Sequence, residues 1–291
     1  KSMKLKKYLK LMLKLYISLF NNFMLNLICT PIGNLNDLSF RAKEVLSNSD
    51  EIYAEDTRVT RKLLDFYNIK KPCISYHDHN ERGKTDKLIK KLKAGIAISI
   101  VSDAGSPLIS DPGFYLLSRC IEENIGYTVI PGPSSVTSAI VLSGLSADSF
   151  IFLGFFPRKN KQKQSLISRL KNETSTMIFF ESTKRIKATI NYISDHIDQD
   201  RQIVICREMS KKYEEVLRGN KSFFKDYLNQ KDLKGEIVLL IEGSSGEKTI
   251  HIDEGIKKSY LEKLSPKDAA KLLALVLNKS KREIYNSLID S

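Results

Sequence analysis

Three short segments rich in proline, glycine and serine are the parts of this sequence best suited to hold a small ligand. They read TPIGNL at 30–35, SDAGSPLISDPG at 102–113 and PGPSS at 131–135, and each follows a run of apolar residues. Glycine lets a backbone approach a ligand closely, proline keeps a loop stiff, and serines at a helix start offer hydroxyls and free N–H groups. One such loop would be an ordinary turn, but three indicate a binding site, in which the Asp103 carboxylate can accept hydrogen bonds from a ligand.

These loops need a scaffold that brings them together, and the first half of the chain predicts one. Short apolar runs alternate with helical stretches, which favours a largely parallel sheet covered by helices. The predicted strands are 25–30, 51–55, 73–77, 97–103 and 127–132, and the predicted helices are 38–47, 57–67, 84–93, 114–123 and 134–142. The nearly continuous hydrophobicity of the strands is typical of burial on both faces. Ligands bind at the carboxyl ends of such strands, where all three loops lie.

The second half predicts another α/β unit with a mixed sheet, because several of its connections are short. Its predicted strands are 150–156, 176–182, 202–209, 214–219 and 236–243, and its predicted helices are 161–170, 183–196 and 222–228. The glycine- and serine-rich stretch GSSGEK at 243–248 predicts a linker, followed by two short helices that form a helix-turn-helix-like unit or a simple capping pair. We therefore expect domains at 24–143 and 149–243 and a helical tail at 260–291.

The composition favours a folded, basic protein. The chain has 291 residues, 42% of them hydrophobic, and a formal net charge of +13. Its length suits two domains and its apolar content excludes a disordered chain. The charge favours a polyanionic partner such as nucleic acid or an acidic membrane surface, although a lysine-rich overall composition explains it equally well. Four cysteines without CxxC spacing predict reduced thiols in a cytosolic protein.

Six lysines and no acid lie in the first 23 residues. A basic, amphipathic segment of this kind can be a signal peptide, a surface helix or a membrane anchor. Lys14 interrupts the apolar run, no A-x-A cleavage site follows, and the segment is too short and too charged to span a bilayer. We expect a basic extension at 1–23, a natural start at Met24, and no stable membrane association.

Several common motifs are missing from the sequence. It has no GxGxxG after the first strand, no GxxxxGK[ST] and no GxSxG. Their absence argues against ordinary dinucleotide binding, against nucleotide hydrolysis by a P-loop enzyme, and against a nucleophile-elbow hydrolase.

Seven motifs carry a resemblance to a known family. TPIGNL, AEDTR, HDHNE, SDAGSPLISDPG, PGPSS, FFES and KGE occur in this order between residues 25 and 243. Together they resemble the ribosomal RNA small subunit methyltransferase I family, which belongs to the tetrapyrrole-methylase-like superfamily of S-adenosylmethionine enzymes. The C-terminal helices also resemble the family's small helical tail, whereas the first 23 residues fall outside the resemblance.

The resemblance implies a function, a fold and a set of site residues. It implies a cytoplasmic homodimer that methylates the ribose 2′-hydroxyl of a decoding-centre cytidine in the 16S rRNA of the small ribosomal subunit. It also implies an α/β fold of tetrapyrrole-methylase type, with S-adenosylmethionine in the cleft between two α/β domains. Carried over by motif, the cofactor-binding residues are Pro31, Ile32, Gly33, Asp103, Ala104, Ser106, Ser134, Ser135, Phe180 and Gly235.

A ribose hydroxyl is a poor nucleophile at neutral pH, so a residue that accepts its proton would help the reaction. The loops after the second and third predicted strands carry such groups. The candidates are Glu55, Asp56, His77 and Asp78. A helix cap, a loop hydrogen bond or an ion pair with Arg58 explains each of them equally well. We expect no metal, because the reaction needs none and the pair His77 and His79 alone is weak evidence for a metal site.

Basic residues in two places can hold RNA phosphates. They are Arg58, Arg61 and Lys62 after the second strand, and Arg158 and Lys159 in the run after GFFP. Phosphate contacts would position the RNA and make its binding sensitive to salt, and solvated basic loops are the alternative. We expect RNA choice to depend on shape and unstacked bases.

Two other functions stay open. The chain can be a methyltransferase for a small corrin- or porphyrin-type ring, or a non-catalytic RNA-binding factor in ribosome assembly. The basic charge and the AEDTR and HDHNE motifs argue against the first, and the intact ligand loops argue against the second.

Overall fold

The computed structural model describes residues 25–245, 259–277 and 280–289. The chain divides after Gly243 into two compact units. The extension predicted at 1–23, the start predicted at Met24 and the end of the predicted linker, 246–248, lie outside the described residues. None of the helices in the described ranges combines the length and the hydrophobicity that a membrane span requires.

The first sheet has five parallel strands in the order β3-β2-β4-β1-β5. The strands are β1 Leu25–Ile28, β2 Glu51–Ala54, β3 Cys73–Ser75, β4 Ile98–Val101 and β5 Tyr127–Ile130. The helices are α1 Phe40–Asn48, α2 Thr57–Phe66, α3 Glu81–Lys93, α4 Phe114–Glu122 and α5 Ser135–Ser143. The predicted parallel α/β pattern is confirmed. Because β4, β1 and β5 are neighbours, the three ligand loops leave the sheet side by side at its carboxyl edge.

Two details of this half differ from the sequence predictions. The prediction that every strand is buried on both faces is wrong at β5, where Tyr127 and Val129 are 42% and 51% exposed. Strand β5 lies at the edge of the sheet, where less of the surrounding protein covers it. Helix α3 begins at Glu81 rather than at Lys84, because Gly83 does not interrupt it and the Glu81 carboxylate accepts a hydrogen bond from the Gly113 N–H at 2.9 Å.

Gly83 offers a test of helix α3. A Cβ at this position would meet no atom within 4 Å. We expect Gly83→Ala to raise the free energy of unfolding by about 0.5–1 kcal/mol, because alanine restricts the unfolded chain more than glycine does. Urea unfolding followed by circular dichroism measures the change, and a loss of stability would contradict the expectation.

The second sheet is mixed, as predicted, with the order β6-β7-β10-β8-β9. Only β6 and β7 run parallel, and the other neighbours are antiparallel. The strands are β6 Phe150–Phe155, β7 Thr176–Ser182, β8 Ile203–Arg207, β9 Glu215–Gly219 and β10 Glu236–Ile241. The helices are α6 Asn160–Asn172, α7 Ile186–Ser194 and α8 Lys221–Gln230. Helix α7 begins three residues later than predicted, after a turn at 183–185.

The two faces of the second sheet bury different partners. One face packs on α6, α7 and α8 through residues that include Phe179, Leu170 and Phe224. The opposite face packs on α5 and on the first ligand loop. This shared core contains Ile32, Val136, Ala139, Ile140, Ile178, Val204, Cys206, Met209, Val238 and Leu240. Both sheets therefore belong to one compact unit, and the domain boundaries at 24–143 and 149–243 stay a prediction.

The C-terminal unit contains α9 Pro266–Leu277 and α10 Lys281–Ile289. Ser265 stands before α9, and its Oγ accepts a hydrogen bond from the Asp268 N–H at 3.2 Å. The two helices bury a small core of Ala269, Ala270, Leu273, Ile284 and Leu288. A helix-turn-helix-like role for this pair stays a prediction.

Candidate functional site

A cavity of about 460 Å³ opens where the ligand loops of the first sheet face the second sheet. Its size lies in the range of small-molecule binding sites. Eight of the ten cofactor-binding residues predicted from sequence line it: Ile32, Asp103, Ala104, Ser106, Ser134, Ser135, Phe180 and Gly235. Residues separated by up to 203 positions along the chain therefore meet in one place, and their contact with a cofactor stays a prediction.

The other two predicted residues, Pro31 and Gly33, line a smaller adjoining cavity of about 200 Å³. The two cavities share Ile32, Asp103, Ala104 and Glu236. A Cβ on Gly33 would lie 2.5 Å from Lys211 Cγ and 2.7 Å from the Met209 carbonyl oxygen. Glycine is required here because the first loop passes so close to the segment that follows β8.

Direct hydrogen bonds hold the ligand loop at 30–35 and the ligand loop at 102–113 together. The Thr30 N–H donates to the Gly105 carbonyl at 2.8 Å, and the Gly105 N–H donates back to the Thr30 carbonyl at 3.0 Å. The Thr30 hydroxyl donates to the Ser102 carbonyl at 3.0 Å. Cys29 is a buried free thiol, as expected, and its Sγ lies 3.2 Å from Ser106 Oγ. The loop geometry is thus set by the protein's own hydrogen bonds.

The ligand loop at 131–135 ends at the start of α5. Ser134 is the N-cap residue, and its side chain makes no capping hydrogen bond to the helix. The first N–H groups of a helix have no partner inside the helix, and here the residues that carry them, Ser135 and Val136, line the cavity. This end of the cavity can therefore donate hydrogen bonds to an anionic group.

Three carboxylates from the loops of the first sheet line the same cavity: Glu55, Asp103 and Asp111. Burial raises the pKa of Glu55 to about 7, and the negative charges of Asp111 and Asp103 add to the shift. Burial also raises the pKa of Asp103 and of Asp111. One oxygen of Asp103 accepts a hydrogen bond from the Asp56 N–H at 2.9 Å. Glu55 can consequently both gain and lose a proton near neutral pH.

The three other candidate bases do not line this cavity. Asp56 caps α2 and forms an ion pair with Arg58 at 2.6 Å, and these contacts with Arg58 lower its pKa to about 2. The Asp78 side chain is exposed. Asn80 holds His77 twice: its Oδ1 accepts from the His77 backbone N–H at 3.0 Å, and its Nδ2 lies 2.9 Å from the His77 ring Nε2. For Asp56, the alternative to a role as the base therefore applies: it is a helix cap and the ion-pair partner of Arg58.

The basic residues predicted to bind RNA are all exposed, in two groups. Arg58, Arg61 and Lys62 lie on α2, and Arg158 and Lys159 come directly before α6. Arg185 holds the second group in place, because its Nη2 donates to the Phe156 carbonyl at 2.7 Å. The same guanidinium lies 3.2 Å from the buried carboxylate of Glu181, which lines the cavity.

Sequence reasoning missed part of the lining. The missed residues are Gly105, Ile109, Asp111, Val136, Phe155, Glu181, Ser182, Thr183, Met209, Glu236, Ile237 and Val238. Several lie inside or beside quoted motifs, as Asp111 lies in SDAGSPLISDPG and Glu181 in FFES. Their place within a motif was the signal in the sequence that could have identified them. Within the described residues, no group of three or more His, Cys, Asp or Glu is arranged to hold a metal ion.

Comparison with known proteins identifies the family. The model of the Tetrapyrrole (Corrin/Porphyrin) Methylases matches residues 24–222. A Ribosomal RNA small subunit methyltransferase I from Synechocystis sp. is 40% identical over 90% of this chain and 96% of its own length. Proteins of the same name from Bacillus subtilis and Thermotoga maritima are 38% and 42% identical, over 91% and 75% of this chain and 93% and 97% of their own lengths.

Solved structures share the fold at low sequence identity. Diphthine synthase matches with a TM-score of 0.59 at 14% identity, covering 76% of this chain and 89% of its own. Uroporphyrin-III-C-methyltransferase from Thermus thermophilus matches with a TM-score of 0.54 at 16% identity, covering 76% and 94%. The expected α/β fold of tetrapyrrole-methylase type is thereby confirmed. The chain belongs to the ribosomal RNA small subunit methyltransferase I family of the tetrapyrrole methylases, enzymes whose methyl donor is S-adenosylmethionine.

Proposed function

We propose that this enzyme transfers a methyl group from S-adenosylmethionine to the ribose 2′-hydroxyl of a decoding-centre cytidine in 16S rRNA. The observation that carries the proposal is the cavity itself, in which three stiff loops meet a carboxylic acid whose pKa is about 7. Relatives about 40% identical to this chain are small-subunit ribosomal RNA methyltransferases, which supports this RNA as the substrate. The choice of nucleotide and of the 2′-oxygen rests on the motif resemblance. We also propose a cytoplasmic homodimer, which light scattering on the purified protein would test.

The cavity suits S-adenosylmethionine in its chemistry. The cofactor carries a sulfonium, an ammonium and a carboxylate. The positive groups match the carboxylates of Asp103 and Asp111, and the carboxylate matches the free N–H groups at the start of α5. The residues proposed to hold it are the eight that line the cavity, with Pro31 and Gly33 shaping its neighbour. When bound, the sulfonium supplies a methyl group already activated for transfer.

Glu55 is the residue proposed to accept the proton of the ribose hydroxyl. A carboxylate with a pKa near 7 is partly ionised at neutral pH, and it remains basic enough to take a proton as the hydroxyl oxygen forms its new bond to carbon. Asp111 and Asp103 act through Glu55, since their charges add to the effect of burial in raising its pKa. The hydrogen-bonded loops contribute alignment, which lowers the barrier by several kcal/mol in well-oriented reactions.

A labelling experiment tests the proposal. The purified protein is incubated with methyl-labelled S-adenosylmethionine and with 30S subunits from a strain that lacks this gene. We expect label in 16S rRNA, at one cytidine that becomes resistant to alkaline hydrolysis because its 2′-oxygen is blocked. Subunits from the parent strain, already modified, serve as the control. Label on a base, or no label in rRNA, would contradict the proposal.

The basic segment before α6 is proposed to bind RNA phosphates, which gives a prediction about salt. The double change Arg158→Ala and Lys159→Ala removes two exposed charges. We expect weaker 30S binding and a fall of about 1.4–1.8 in the slope of log affinity against log salt concentration, because two phosphate contacts are lost. The matched control replaces the exposed lysines Lys171 and Lys187, which lie outside both basic groups. Equal slopes for the two double variants would argue against a role for the segment.

A small-ring substrate is the second candidate, because the matching family model is described as corrin and porphyrin methylases. The labelling experiment distinguishes it when an uroporphyrin is offered in place of the subunits. Transfer to the ring and none to rRNA would favour this candidate. A protein that binds 30S subunits and the cofactor without any transfer would instead be an assembly factor.

A further inference from the structure

Phe155 is an exposed aromatic side chain on the wall of the cavity. It is 58% exposed, although most large apolar side chains of its sheet are buried. Its ring lies 5.5 Å from that of Phe180, centre to centre, in an edge-to-face contact. One side of the ring is thus held by protein while a large part of it remains open. Exposing an aromatic surface to water is unfavourable, so a ligand that covers it gains stability.

A β-bulge directs this ring towards the cavity. Phe152 pairs with Ile178 and Phe155 pairs with Phe180, so β6 has one residue more than β7 between these pairs. Gly154 supplies the extra residue in the left-handed region, with a φ of 68°. The bulge places Phe155 on the face of Phe180 and leaves Phe156 buried on the opposite face. Bulges of this kind often aim a side chain beside a functional site.

The bulge also lies at the acidic end of the cavity. A Cβ on Gly154 would be 3.9 Å from the Ser110 hydroxyl, so β6 passes beside the turn that contains Ser110 and Asp111. Asp111 lines the same cavity as Phe155 and Glu55, and its charge acts on Glu55. The open ring therefore lines the same cavity as Glu55, the residue proposed to take the proton of the substrate.

Positive charge follows directly after the ring. Arg158 and Lys159 are exposed three and four residues later. Arg185 fixes the chain between them and the ring by its hydrogen bond to the Phe156 carbonyl. An aromatic side chain with cations close by in the chain suits an unpaired nucleotide, because the base can stack on the ring and the phosphate can contact the cations.

We propose that Phe155 is the stacking platform for the base of the nucleotide whose ribose is methylated. The inference rests on the proposed function. It requires the target nucleotide to leave the RNA stack, with its base on the open face of Phe155, its sugar towards Glu55 and its phosphate towards Arg158. Stacking does not depend on the hydrogen-bonding pattern of the base, so Phe155 contributes affinity and position rather than base choice.

Two substitutions at one position test the platform. Phe155→Leu removes the aromatic face and Phe155→Tyr keeps it. With 30S subunits that lack the modification, we expect kcat/KM for Phe155→Leu to fall about 10- to 100-fold, as loss of one stacked base does elsewhere. Phe155→Tyr should stay near the wild type. The dissociation constant for S-adenosylmethionine, measured by calorimetry, should change little in either variant.

The control is Phe150→Leu, because Phe150 is an exposed phenylalanine of the same strand that does not line the cavity. It should methylate subunits like the wild type. Wild-type kinetics for Phe155→Leu would overturn the platform. Weaker binding of S-adenosylmethionine by Phe155→Leu, in step with the loss of activity, would also overturn it by assigning the ring to the cofactor. If the wild-type protein itself transfers no methyl group to rRNA, the proposed function has failed instead.

Discussion

Replacing Glu55 with glutamine is expected to lower kcat for methyl transfer to 30S subunits by about 10²- to 10⁴-fold, the usual contribution of a general base. Glutamine has nearly the same shape and can still donate and accept hydrogen bonds, but it cannot take a proton from the substrate. Cofactor affinity should change much less than kcat, because the eight proposed cofactor residues are untouched. Single-turnover transfer of labelled methyl, together with calorimetric titration of the cofactor, separates the two effects.

The same residue predicts how activity depends on pH. With a pKa of about 7 for Glu55, its basic form increases as the pH rises through 7. We expect kcat/KM of the wild type to rise across this range and to level off above it, and we expect the residual activity of Glu55→Gln to lose this step. A variant with wild-type rates, or one that keeps the step, would assign the proton transfer to another group.

Stability provides the control for Glu55→Gln. The folded-state pKa of Glu55 is raised above its ordinary value of 4.5, so the protonated form is favoured by folding. Its contribution to stability is fully present below pH 4.5 and is lost as the pH rises through 7. Glutamine stays neutral at every pH, and the variant should be at least as stable as the wild type at pH 8. Lost activity in a protein of equal or higher melting temperature then cannot come from unfolding.

Asp56 is the matched control for the choice of base. It neighbours Glu55 in sequence, yet it caps α2 and pairs with Arg58. We expect Asp56→Asn to keep the pH step in activity. Its main effect should be on the stability of α2. Asparagine can still cap the helix, but the ion pair with Arg58 is lost. A loss of kcat as large as that of Glu55→Gln would argue that the AEDTR loop acts as a unit.

The sequence predicted the ligand loops because their position follows from local rules. Parallel strands that alternate with helices present their following loops at one edge, and glycine and proline mark those loops. The choice between Glu55 and Asp56 was beyond such rules. Both follow β2 and both are half-buried, and only the packing of the surrounding loops and the second sheet decides which carboxylate lines the cavity with Asp103 and Asp111. Burial, not residue type, raises the pKa of Glu55.

The second half of the site was predictable only through the resemblance. Phe180 and Gly235 reach the cavity from a sheet whose pairing joins residues far apart in the chain, and no local spacing reports that pairing. Phe155 was missed for a different reason. An uninterrupted strand through FIFLGFF would place Phe155 on the face opposite to Phe152, and the bulge at Gly154 reverses this.

The second large effect is expected from a substitution in the turn before β10, which forms part of the cavity wall. Gly235 has a φ of 92°, and a Cβ there would lie 2.4 Å from the Glu208 carboxylate. That carboxylate accepts hydrogen bonds from the Glu236 N–H and from Lys211 Nζ, both at 2.8 Å. We expect Gly235→Ala to weaken S-adenosylmethionine binding at least tenfold and to lower the free energy of unfolding by about 1–2 kcal/mol, since alanine is strained in this conformation.

The physical reason is that two separate demands meet at Gly235. The left-handed backbone lets the KGE turn reach the cavity, and the missing side chain leaves room for the Glu208–Lys211 ion pair that holds the turn. Combining Gly235→Ala with Glu208→Ala removes the clash but retains the backbone strain. If the double variant recovers part of the cofactor affinity, that part of the loss in Gly235→Ala is caused by the clash. Gly83→Ala, with open space around its Cβ, is the matched control. Cofactor binding by Gly235→Ala equal to that of Gly83→Ala would show that the turn does not shape the pocket.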